Sequence, residues 1–135
     1  MSLCFDFSED QIMMRDAIQT FCKEEIAPLV EEAEKTESFP LELYPKLAEM
    51  GLLGICFEEK YGGLGLDKVT QCILAEELGK TCAGIAKGIA AHVDLGSLPV
   101  AKFGTEEQKQ KYLVPSIAGE MIGALAITEP NAGTD

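Results

Sequence analysis

The stretch IGALAIT, Ile122 to Thr128, runs into EPNAGTD, Glu129 to Asp135: a short apolar run, a Glu-Pro turn, then small residues with Thr134 and Asp135 behind them. An apolar run this short, closed by turn residues, predicts a β-strand. A lone strand has no ladder, and an isolated strand or hairpin is marginal in water. Either it pairs with the stretch near Ile55 and Phe57, or its partners lie beyond Asp135. Most of what precedes Ile122 reads as helix, so the expectation is an N-terminal piece of a longer protein.

Working back from that strand, the helical signals are regular. Ser8 with Gln11 forms a capping-box pattern, and Glu9 and Asp10 place negative charge in the first turn, where the helix dipole favours it. Behind it Met14, Ile18, Phe21, Ile26 and Leu29 recur at three- and four-residue spacing. Pro28 falls inside this stripe and predicts a kink or break near Ala27. Leu43, Leu47 and Met50 form the face of a short second helix that stops at Gly51. LLGICFEEKYGGLGLD reads as an extended piece and a tight loop before the N-cap Asp67. A third helix follows to Thr81, with Gly79 breaking it. From Cys82 to Val100 the chain is apolar nearly all round, the mark of a central helix. Its Ala and Gly positions allow close approach of a backbone or a flat ligand, which offsets a helix cost near 1 kcal/mol per interior Gly. Thr105 with Gln108 is a second capping box, opening a last helix that ends by Gly119.

Composition bounds the function. The chain has 135 residues, 47% of them apolar, which suits one folded domain and not a disordered tail. It has no uninterrupted apolar run of about 18 residues that would span a bilayer. With 11 Lys and Arg against 23 Asp and Glu, the formal charge is -12. Such a surface repels phosphate backbones and anionic headgroups, so neither nucleic acid nor membrane insertion is expected. Cys4, Cys22, Cys56, Cys72 and Cys82 are an odd set with no C-x-x-C pair, read as reduced, mostly buried thiols of a cytoplasmic or similarly reducing compartment. With a single His92 they offer no metal-ligand cluster.

The remaining chemical signals are weak on their own. Tyr61 to Gly65 is glycine-rich but lacks the ending of a P-loop and the spacing of a dinucleotide fold, so it reads as a turn. His92 sits in an apolar setting without a nearby nucleophile and reads as a hydrogen-bonded core or pocket-wall residue. Glu58 and Glu59 are adjacent, and adjacent side chains diverge, so no acid/base pair is formed. Thr128, at the strand end, presents a hydroxyl and backbone amides to a ligand edge, while Ala132 and Gly133 allow close backbone approach.

The run ALAITEPNAGTD resembles the flavin-binding signature of the acyl-CoA dehydrogenases: small, aliphatic, Ser/Thr, Glu, two variable positions, small, Gly, Ser/Thr, Asp. FSEDQ, EEKYGGLGLD, FGTEEQKQKYL and GE with GALAITEP are similar to further segments of that family in the same order. The resemblance implies an all-α, orthogonal bundle-like N-terminal domain over 1–121, with 122–135 as one terminal strand that starts a middle β domain. It implies FAD as cofactor, an acyl-CoA thioester as substrate, electron-transferring flavoprotein as partner and a homotetramer, in the cytoplasm or a mitochondrial matrix. It further implies that Leu125, Ala126, Ile127, Thr128, Gly133 and Thr134 contact the flavin. Ile127 and Thr128 would lie at its pyrimidine side, and Gly133 and Thr134 near the pyrophosphate. Thr134 also approaches the acyl-CoA, and part of the acyl pocket comes from Gly88 to Gly96. The family's glutamate base is assigned to no residue of this chain. The alternatives are an acyl-CoA oxidase-like flavoenzyme and a non-catalytic helical interaction module.

Overall fold

A computed structural model describes residues 6–133; Cys4, Thr134 and Asp135 lie outside them. The capping boxes place the first helix boundaries. Ser8 accepts from the Gln11 amide while the Gln11 side chain accepts from the Ser8 amide, opening α1, Glu9–Phe21. Thr105 and Gln108 do the same at the start of the last helical run. Asp67 caps α4, Lys68–Thr81, by accepting from the Thr70 amide at 2.8 Å. Between them lie α2, Ala27–Thr36, and α3, Leu43–Glu49. Gly51 follows α3 at φ 72°, a conformation that suits glycine. After α4 come α5, Ala83–Ala90, and α6, Leu98–Phe103, then α7, Glu106–Gln108, and α8, Val114–Ile117.

Three prolines explain the joints. Pro28 does not break its helix. The turn before it, Cys22–Ile26, widens to π geometry, and Ala27 donates to the carbonyl of Cys22, five residues back. The same device precedes Pro99, where Ala91–Ser97 is π-helical and Leu98 donates to Val93. It recurs before Pro115, where Lys109–Leu113 is π-helical and Val114 donates to Lys109. A proline ring collides with the carbonyl four residues earlier, and one widened turn moves that carbonyl aside while keeping the helix direction. The predicted kink near Ala27 is therefore a bulge, with Ile26 buried beneath it.

Two expectations are corrected. Gly79 does not interrupt α4, which runs on to Thr81; an added Cβ there meets nothing within 4 Å, so the glycine marks an open surface. The stretch Leu52 to Phe57 is not extended. It forms a 3₁₀ turn at Leu52–Gly54, a second follows at Glu59–Tyr61, and the loop after it folds back: Leu64 donates to the Gly54 carbonyl, Gly65 to Phe57 and Leu66 to Ile55. Its backbone is thus already engaged, and Ile122–Thr128 finds no ladder partner there. Among the described residues there is no sheet, only an isolated bridge between Glu129 and Ala132.

Packing follows the apolar stripes. α1 lies against α4, and α4 against α5. Ile18, Ile26, Leu47, Leu53, Leu78 and Ile89 are fully enclosed in one core, although Val69 on the first turn of α4 faces out. The run α5 to α6 is not enclosed on every side as its composition predicts: Ile85, Ile89, His92, Val93 and Ser97 are buried on one face, while Ala83, Lys87, Leu95 and Phe103 are exposed and α6 buries no residue. Gly88 leaves room for the Phe39 ring, whose Cε2 lies 2.4 Å from where a Cβ would stand. Of the described cysteines, all free, Cys22 and Cys82 are buried, Cys56 is half-buried and Cys72 is exposed. No helix of the described residues is long and apolar enough to cross a membrane.

Candidate functional site

The chain leaves the helical body through a turn after α8. The Pro115 carbonyl accepts from the Glu120 and Met121 amides at 2.9 and 3.1 Å, and Gly119 turns the backbone at φ 74°. Gly123 is the next fixed point. Its N–H donates to His92 Nδ1 at 2.9 Å, and its backbone lies flat on Gly96. A Cβ on Gly96 would stand 2.5 Å from the Gly123 carbonyl carbon, so the contact exists because both residues lack a side chain.

His92 is 1% exposed, with its Nε2 3.2 Å from the Ser116 carbonyl and its ring edge-on to Tyr44 at 5.2 Å. A backbone N–H only donates, so Nδ1 is the acceptor, and Nε2 carries the proton given to Ser116. Burial pushes the imidazole below its usual value of 6.5, while the Ser116 hydrogen bond opposes that shift. His92 is thus a neutral, fully bonded core histidine, in keeping with its apolar setting in the sequence.

Beyond Gly123, Ala124 to Thr128 form no regular element and are exposed, with Leu125 at 52% and Ile127 at 71%, so the predicted strand does not form among the described residues. None of these backbone groups is hydrogen-bonded to another described residue. A reverse turn closes this segment: Glu129 donates to Ala132 at 2.7 Å and Ala132 back to Glu129 at 3.3 Å. Gly133 follows with open space around its Cα. The structure thus brings Leu125, Ala126, Ile127, Thr128 and Gly133 into one exposed ribbon, while Thr134 lies outside the described residues. Its open donors and acceptors are suited to a neighbouring strand or to the polar edge of a flat ring.

The other candidates stay structural. Glu58 pairs with Lys60 at 3.2 Å on the surface. Tyr61 donates its hydroxyl to the Glu106 carboxylate at 2.7 Å, tying the glycine loop to α7, and that bond holds the Glu106 carboxyl below its usual range. Gly63 packs against the Phe57 carbonyl, so this loop is a turn and not a phosphate cradle. Among the described residues no group of three His, Cys, Asp or Glu could hold a metal ion. What sequence reasoning missed is the anchor of His92, Gly96 and Gly123. The signal was present in the four-residue spacing of His92 and Gly96, which puts both on one helix face.

The helical body matches a known family. A family model described as "Acyl-CoA dehydrogenase, N-terminal domain" matches residues 8–120. The probable acyl-CoA dehydrogenase YngJ of Bacillus subtilis is 44% identical over 131 residues, covering 97% of this chain and 34% of its own. A chain in the solved structure of the electron transferring flavoprotein of Acidaminococcus fermentans superposes with a TM-score of 0.91 at 44% identity, covering 98% of this chain and 35% of that one. The acyl-CoA dehydrogenase of Bacillus anthracis solved with FAD gives 0.87 at 42% identity, covering 95% of this chain and 22% of that one. The chain spans about a third of the length of the curated relatives it matches. With its helices, their order and most of its length accounted for by that family model, the chain belongs to the acyl-CoA dehydrogenase family.

Proposed function

We propose that this chain is the N-terminal helical domain, residues 1–121, of an FAD-dependent acyl-CoA dehydrogenase, with residues 122–135 opening the middle β domain. The complete enzyme would oxidise the α,β bond of an acyl-CoA thioester, pass electrons to an electron-transferring flavoprotein and assemble as a homotetramer. The observation that carries the reading is the exposed, unpaired ribbon Ala124–Thr128, which lies where the chain resembles the family's flavin signature. It is supported by the FAD complex of the Bacillus anthracis relative and by the flavoprotein structure of Acidaminococcus fermentans.

The residues present fit a flavin. Leu125 to Thr128 offer free amide donors, Thr128 adds a hydroxyl, and the small side chain of Ala126 leaves room for a flat ring. FAD, when bound, supplies the hydride acceptor. This chain's part is to hold amide and hydroxyl donors at the pyrimidine edge, where negative charge develops on reduction. Donors fixed beforehand need no reorganisation as that charge appears. Gly133 and Thr134 would serve the pyrophosphate, and Thr134 the acyl-CoA as well. Within the stretch proposed for the acyl pocket, Gly88 is covered by Phe39 and Gly96 by Gly123.

Thr128→Ala in the full-length protein tests the assignment. Loss of one hydrogen bond predicts about tenfold weaker FAD binding, with the helical content unchanged. A fluorescence titration that gives the parent affinity would reject the role of this hydroxyl.

A further inference from the structure

The described part of the ribbon is tied to the helical body through one polar contact, and that contact decides where the ribbon points. We propose that His92 is a positioning residue for the flavin-facing segment: its Nδ1 lone pair, accepting from the Gly123 N–H, fixes where Ala124–Thr128 leave the helical body. This rests on the flavin reading above.

The imidazole closes a clamp. Nε2 binds the Ser116 carbonyl at the end of α8 and Nδ1 binds Gly123, so one ring spans both ends of the turn between them. Ser116 also accepts from the Gly119 amide at 3.1 Å, which ties the middle of the turn to the same carbonyl. Gly123 cannot slide toward the body, because Gly96 already touches its backbone. It cannot move away without losing the Nδ1 bond. Beyond it, no described residue holds Ala124–Thr128.

The clamp needs the neutral ring. A proton on Nδ1 would face the Gly123 N–H, donor against donor. The surroundings favour neutrality. From α3 the ring meets the edge of Tyr44, whose own phenol is pushed up by burial. From α8 it meets the Ser116 carbonyl. Asp94, two residues along, is turned to the Gln71 amide at 2.7 Å and Lys68 at 4.0 Å. The ring's folded-state value lies below 6.5, so the neutral ring and its bond predominate at pH 6.5 and are lost as pH falls through that lower value.

His92 is the single histidine of the chain, so its tautomer can be read directly by nitrogen NMR of the labelled chain. The expected result is a protonated Nε2, a bare Nδ1 and a ¹⁵N–¹⁵N coupling across the hydrogen bond to the Gly123 amide. An uncoupled Gly123, or the opposite tautomer, overturns the proposal whatever the flavin does. Two substitutions then separate positioning from mere packing in the full-length protein. His92→Asn keeps an acceptor near the place of Nδ1, whereas His92→Gln keeps a donor near the place of Nε2. Asn is expected to retain FAD affinity within about twofold and to remove the loss of affinity on acidification below pH 6.5. Gln is expected to weaken FAD about tenfold and to speed amide exchange in Ala124–Thr128, while α1 and α4 stay protected. Equal affinities for the two variants would overturn the positioning role. A failed flavin reading shows itself differently, as a parent protein that does not bind FAD at all.

Discussion

Gly96→Ala is expected to strip the full-length protein of flavin while leaving its helices folded. The new Cβ would stand 2.5 Å from the Gly123 carbonyl carbon, 2.6 Å from its Cα and 2.8 Å from the Ala124 nitrogen, and all three are backbone atoms without a rotamer to escape into. The ribbon must move outward, which breaks the bond to His92 and shifts every donor beyond it. Displacement of a positioned group by about 1 Å commonly costs on the order of a hundredfold, and we expect that loss in FAD affinity. Stability should fall by about 1–3 kcal/mol, the usual cost of overpacking. Gly84→Ala is the internal control on the same helical run. Its Cβ would meet only Cys82 Sγ at 3.9 Å and Glu34 Oε1 at 4.0 Å, ordinary contacts. That variant should bind FAD normally and gain up to about 1 kcal/mol from helix propensity. Titration with FAD and thermal melts of both variants check the pair. Equal flavin affinity in the two would remove the Gly96–Gly123 contact from the account.

Leu53→Ala carries the largest expected stability effect. Leu53 is fully buried in the 3₁₀ turn between α3 and the glycine loop, and the rigid turns around it limit collapse onto the space left behind. Truncating a buried leucine costs about 2–5 kcal/mol through lost transfer energy and the cavity. That is a large share of the roughly 5–15 kcal/mol that holds a typical domain folded. Leu41→Ala, at a side chain 59% exposed, should change little. Urea unfolding of the two variants measures the contrast, and a Leu53→Ala midpoint as close to the parent as that of Leu41→Ala would show that this turn does not bear on the core.

What was legible in the sequence follows from which forces are local. Capping boxes at Ser8 and Thr105 and the cap at Asp67 depend on neighbours three residues away, and all three appear as read. The run from Cys82 was misread as central, because all-round apolarity made largely of small residues such as Ala83 and Gly84 does not require burial, and only one face of it packs on the core. Pro28 was correctly seen as a disturbance, but whether a helix breaks or widens depends on the packing of Ile26 beneath it, which is not local. The stretch from Leu52 to Phe57 was misread as extended because apolar residues between glycines fit a strand and a compact turn equally well. Its turns are set by tertiary contacts such as Gly51, where an added Cβ would stand 2.9 Å from the Leu64 methyls, and Gly63 against Phe57. The strand predicted at Ile122 does not form among the described residues, because a ladder belongs to two segments and no described residue supplies the second. His92 was recognised as a bonded core residue, whereas its partner Gly123 lies 31 residues away and carries no side chain to signal the contact.

Hydrogen exchange of the full-length protein with and without FAD tests most directly whether the Ala124–Thr128 amides face the flavin. We predict that loading with FAD slows exchange at these amides while α1 and α4 exchange as before. If FAD binds and these amides exchange at the same rate as in the flavin-free protein, the claim is wrong.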